Sequence, residues 1–71
     1  MNKKILTEFA EIAKKHYDSE KKSIELIQWA SFNENRVKTM GKYLKAHPDA
    51  SDAQIRYEMC RIVADEKLKI S

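Results

Sequence analysis

Pro48 is the only proline in the chain, and it stands between two long stretches of good helix formers. Proline has no backbone N–H and disfavours helical geometry at the residue before it, so a helix arriving from the N-terminal side has to end near Ala46. Shortly afterwards, Ser51-Asp52-Ala53-Gln54 has the form of a capping box, in which Ser51 Oγ accepts from the Gln54 N–H and the Gln54 side chain reaches back to Ser51. Asp52 then falls in the first turn, where a negative charge suits the helix dipole. The spacing predicts a helix, a corner over residues 46–50 and a second helix begun by Ser51. One glycine accompanies the proline in 71 residues, too few turn formers for a sheet. The expected fold class is all-α: a compact three- or four-helix bundle, one domain over residues 1–71, alone or as a homodimer. A chain this short buries only about 60% of what its unfolded form exposes, so self-association would add to a modest stability.

Periodicity places the faces. Before the corner, Val37, Met40, Gly41 and Leu44 cluster on one side of a helix, and Lys38, Lys42 and Lys45, at i, i+4 and i+7, line another. After it, Ile55, Met59, Ile62 and Val63 form one stripe while Tyr57, Cys60, Ala64 and Leu68 lie roughly opposite. A helix apolar on two sides is either central in its own fold or half of a contact with another molecule. Upstream, Ile5, Leu6, Phe9, Ile12, Ala13, His16 and Tyr17 share a helical face, with Lys4, Glu8, Glu11, Lys14 and Lys15 on the other. Residues 18–23 interrupt this pattern without a glycine or proline. Either Asp18 or Ser19 caps a new helix there, or one helix continues and carries Ile24, Ile27 and Ser31 on the first stripe. Ile24 to Phe32 is apolar around most of its circumference, so it is expected to be the most buried segment or to present Trp29 and Phe32 to a partner. Asn33-Glu34-Asn35 reads as a polar turn with Asn33 or Asn35 as the next cap. After Val63, residues 64–71 alternate in charge and are expected to fray.

The net charge of +3 is unevenly spread. Acids and bases cancel over residues 1–34, and residues 48–71 are acidic by one charge. The excess therefore belongs to residues 35–47, which carry Arg36, Lys38, Lys42 and Lys45 with no acid in the same stretch. Glu8 and Glu11 fall where an export signal would need an apolar run, and no uncharged run is long enough for a bilayer. Cys60 is alone, which excludes a disulfide framework or a cysteine-based metal cluster. A cytoplasmic protein without contact to membrane is the expectation.

No residue pattern here carries catalysis. There is no glycine-rich phosphate loop, no ordered nucleophile and base, and no cofactor motif. His16 with Glu20 at i+4 offers two ligands, short of a zinc site, so no metal is expected. His16 reads as a satisfied core or boundary residue and Cys60 as a small buried hydrophobe. What is left is binding. The leading expectation is a non-enzymatic adaptor, subunit or small inhibitor that binds another protein through the Tyr57 and Leu68 side or through Lys38, Lys42 and Lys45. The alternative is a nucleic-acid-binding regulator that sets those lysines on phosphates. In a helix-turn-helix variant of that reading, Gln54, Arg56 and Arg61 would be the contacts, with Asp52 and Glu58 working against groove entry.

The tripeptide His47-Pro48-Asp49 behind a lysine-bearing helix resembles the J-domain, a co-chaperone module that stimulates a heat-shock chaperone ATPase. The resemblance covers residues 36–49 and implies a basic face of Lys38, Lys42 and Lys45 with His47 and Asp49 as loop contacts. Two features depart from the family's pattern: the apolar spacing before His47 differs, and Ser51 starts a helix at once where the family has a longer loop. As a turn former, Asp49 also explains itself without any partner.

Overall fold

The corner forms as predicted. The Gln54 N–H donates to Ser51 Oγ at 3.2 Å, and the Ser51 N–H donates to Gln54 Oε1 at 2.8 Å, which completes the capping box. The chain arrives there on a helix that ends at Ala46, and the Ala50 N–H closes the turn onto the His47 carbonyl at 3.1 Å. The computed structural model describes residues 2–70; Met1 and Ser71, the two ends of the range read from the sequence, lie outside the described residues. Among these, four helices account for the fold: α1 Lys3–His16, α2 Glu20–Ala30, α3 Glu34–Ala46 and α4 Asp52–Ile70. The architecture is an all-α bundle without strands among the described residues.

Side chains start each helix. Asn2 Oδ1 accepts from the Lys4 N–H at 2.8 Å and Asn33 Oδ1 from the Arg36 N–H at 2.9 Å. Ser19 settles the open question at residues 18–23: its Oγ accepts from the Lys22 N–H, so the chain breaks and α2 begins anew.

α3 is the central element and touches the other three helices. It contributes Val37, Met40 and Leu44 to the core, where they meet Phe9 and Ala13 of α1, Leu26 and Ala30 of α2, and Ile55 and Ile62 of α4. Of the two expectations for the segment from Ile24 to Phe32, deep burial is corrected here, and of the two aromatics Phe32 is exposed while Trp29 is half-buried. At 100° per residue, the inner face of α2 is Ser23, Leu26, Ile27 and Ala30. Ile24 lies a quarter-turn away and is 42% exposed, and Phe32, beyond the helix end, is 81% exposed. Ser23 is buried because its Oγ donates to the Glu20 carbonyl at 2.8 Å, and its small size lets α2 sit close to the core.

The expected fraying after Val63 is corrected as well. α4 runs to Ile70, because Glu66 in its last turns is held from α3 and Lys67 and Lys69 favour the C-terminal end of the dipole. The one glycine, Gly41, sits in the middle of α3 with ordinary helical backbone. A Cβ built there would meet Phe9 Cδ1 at 3.7 Å, a normal contact.

Two substitutions separate propensity from packing. Gly41→Ala is expected to stabilise the chain by about 0.5–1 kcal/mol, read as a higher urea midpoint at unchanged slope. Ile55→Ala, which empties a fully buried site, is expected to cost about 2–5 kcal/mol in the same measurement.

Candidate functional site

α4 carries one of the two candidate surfaces, and its position is fixed by polar ties at both ends. At its start, the α1–α2 junction grips the corner. His16 Nε2 lies 2.9 Å from the Ala50 carbonyl, which can only accept, so that nitrogen bears the proton. Tyr17 donates its hydroxyl to Asp52 Oδ1 at 2.9 Å, and Arg56 Nε reaches Asp52 Oδ2 at 3.1 Å. Hydrogen bonds from Arg56 and then from Tyr17 hold the Asp52 carboxyl below the usual carboxylate range. Burial, followed by donation to Asp52, pushes the Tyr17 hydroxyl up to about 12.

Near its other end, α4 is tied to α3 by a fork. Arg36 Nε meets Glu66 Oε1 at 3.0 Å and Nη2 meets Oε2 at 3.1 Å, while Nη1 donates to the Trp29 carbonyl at 3.0 Å. Asn33 Nδ2 adds a donor to the same carboxylate at 2.8 Å. Hydrogen bonds from Arg36 and then from Asn33 lower the Glu66 carboxyl. The guanidinium also stacks 4.9 Å from the Trp29 ring centre and 5.1 Å from that of Phe32. Arg36 therefore does not belong to the uncompensated charge read from the sequence. Its fork is 13% and 21% exposed, against 60% and 47% for the Lys38–Glu34 pair, so it is far less screened by water than that pair.

What these ties leave outside is the far side of α4. Tyr57 is 72% exposed and Leu68 is 74% exposed, with Cys60 and Ala64 exposed on the same side of the helix. Cys60 thus corrects the expectation of a buried hydrophobe: it points away from the Ile55 and Ile62 face. Alongside runs a hollow of about 460 Å³ in which Trp29, Met59 and Val63 supply apolar wall and Arg56 and Lys67 the rim. Trp29 is half-buried there, beneath Arg36.

The second surface belongs to the lysine row. Lys38, Lys42 and Lys45 are all exposed, and together they border a groove of about 300 Å³ between α1 and α3. Ile5, Phe9, Ile12 and Val37 make its floor, Gly41 leaves its middle open, and Glu8 stands on the α1 wall. Lys38 pairs with Glu34 at 3.3 Å, whereas Lys42 and Lys45 have no ion pair among the described residues. Periodicity located these lysines, but the apolar floor arises where two helices meet and has no local signature.

The side chains of the helix-turn-helix variant are engaged elsewhere. Gln54 is in the capping box, Arg56 is on Asp52, and Arg61 pairs with Glu58 and, at 3.9 Å, with Asp65. Glu58 is buried, 7% exposed, a charged core-edge position that the apolar pattern of α4 did not single out. His47 and Asp49 are exposed at the corner, and the His47 ring lies 4.7 Å from that of Tyr43.

Among the described residues, no three His, Cys, Asp or Glu side chains are grouped to hold a metal ion, and no helix is long and apolar enough to cross a membrane. No family model, curated protein or solved structure matches the chain.

The two ties predict opposite pH limits. Asp52 and Glu66 are more acidic folded than unfolded, so their stabilisation is complete above the ordinary carboxyl range, about pH 4, and is lost as pH falls through their lowered values. Tyr17 is less acidic folded, so its contribution is complete below its ordinary 10 and is lost as pH rises through about 12. Urea midpoints followed across pH should fall at both ends. Glu66→Gln is expected to flatten the acid limb, and Tyr17→Phe the alkaline one.

Proposed function

We propose that this chain is a non-enzymatic protein-binding module, an adaptor, subunit or small inhibitor, that engages a partner protein through the outer side of α4. The observation that carries this reading is the exposure of Tyr57 and Leu68 on a helix whose opposite side already delivers Ile55 and Ile62 to the core. A tyrosine brings a large, rigid contact area with a polar tip, which is why it so often anchors interfaces. The ties at Asp52 and Glu66 hold the helix in place before any partner arrives, so little ordering has to accompany binding. The reading as a binder also agrees with what lines the hollows, apolar side chains bordered by basic ones. A second copy of this chain is one partner the face would accept, and sedimentation distinguishes it from a different protein.

The test is the double variant Tyr57→Ser with Leu68→Ser. Both residues are mostly exposed, so each change should move folding stability by no more than about 0.5 kcal/mol. Affinity for the partner, measured on the captured complex or on the self-associated chain, is expected to weaken by about 30-fold or more if Tyr57 is an anchor. Unchanged sedimentation together with unchanged capture would place the binding surface elsewhere.

A further inference from the structure

We infer that the groove between α1 and α3 receives an acidic amphipathic helix of a partner protein. This surface is independent of the outer side of α4 and is built from other residues. Its floor is apolar, with Ile5 and Ile12 half-buried beside Phe9 and Val37. It stays open because position 41 carries no side chain; a Cβ there would stand 3.7 Å from Phe9. Along one wall run Lys38, Lys42 and Lys45, and on the facing wall stands Glu8.

The spacing of the charges identifies the occupant. Seven residues of helix separate Lys38 from Lys45, about 10 Å at 1.5 Å per residue. An amphiphile with one anionic head group would engage one end of that row and leave the rest unmatched. A phosphate backbone would reach all three lysines, but it has nothing to lay on the apolar floor. The floor also offers no ring to a base, since Phe9 is only 2% exposed. A helix lying along α3 repeats its own side chains with the same rise. Acids at i, i+4 and i+7 on its flank each meet one lysine, while its apolar stripe covers Ile5 and Ile12, the half-buried part of the floor. Glu8 adds a direction: the preferred helix carries its acids on one flank and neutral or basic residues on the other. The pair Lys38–Glu34 is exposed on both sides and yields to a new partner at little cost.

Selection of binders from a displayed library of random 16-residue peptides on the immobilised full chain tests this, followed by titration of the enriched peptides. The expected winners carry an apolar stripe flanked by acids at i, i+4 and i+7, and they weaken as salt rises. Gly41→Leu, which places a side chain in the groove, is expected to reduce their affinity at least tenfold while the circular dichroism melt stays cooperative. Reversing all three lysines to glutamate should abolish binding, and a peptide with lysines in place of its acids should restore it, a rescue that does not depend on how Gly41→Leu folds. Tyr57→Ser with Leu68→Ser should leave the titration unchanged. The inference is overturned if no peptide is enriched, if the winners lack the acidic flank, if the charge reversal brings no rescue, or if the α4 variant removes binding. It is equally overturned if a duplex oligonucleotide occupies the lysines and a folded Gly41→Leu chain binds the peptides as before.

Discussion

The structure depends on how α4 is fastened. Its backbone approaches only α3 closely, and among the described residues its fully buried apolar side chains are Ile55 and Ile62, two turns apart, with Met59 partly buried between them. So narrow an apolar contact alone would leave such a helix free to roll. The Tyr17–Asp52 and His16–Ala50 hydrogen bonds fix its first turn, and the Arg36–Glu66 fork fixes its last turns. The fork is largely shielded, so breaking it would leave an arginine among aromatics and a carboxylate with only Asn33 as a donor, a larger loss than that of an exposed pair. The rotational setting of α4 follows from these ties, and with it the identity of the residues left outside.

Much of this was legible locally. Pro48 and the Ser51–Gln54 box define the corner because both act within a few residues. The inner face of α3 followed from its period, and Lys38, Lys42 and Lys45 stand exposed where that period puts them. What local reading missed lies at long separation. Arg36 counted as unpaired charge because Glu66 is thirty positions away, and no pattern within α3 reveals it. The apolar all-round character of Ile24 to Phe32 pointed to deep burial, but α2 turns only Ser23, Leu26, Ile27 and Ala30 inward and leaves Ile24, with Phe32 beyond its end, outside. The break before α2 was undecided from periodicity because Ile24 and Ile27 fit either continuation; extended backbone at Tyr17 and Ser19, with Ser19 capping α2, decides it.

The candidate surfaces were legible to different degrees for the same reason. The side with Tyr57 and Leu68 could be picked out from α4 alone as one of two apolar sides, though only the packing of Ile55 and Ile62 shows that it stays outside. The groove could not, because its floor sets Ile5, Phe9 and Ile12 beside Val37, 25 to 32 positions away, and these come together only when α1 packs on α3. The two surfaces also differ in kind. The α4 side sets apolar residues beside Arg61, itself paired with Glu58 and Asp65, whereas the groove pairs an apolar floor with a one-signed wall, and only the latter prescribes the charge of what it accepts.

Cys60 gives the molecule an experimental convenience. It is the one cysteine in the chain, and it stands exposed between Tyr57 and Ala64 on the outer side of α4. A maleimide fluorophore or a spin label therefore attaches at a single known point without any mutation. Because the helix beneath is clamped at both ends, the label's mobility reports what covers that side and not the wandering of the helix itself. Two labelled copies that met through it would bring their probes close enough for distance measurement, while occupancy of the α1/α3 groove would leave the signal as it was.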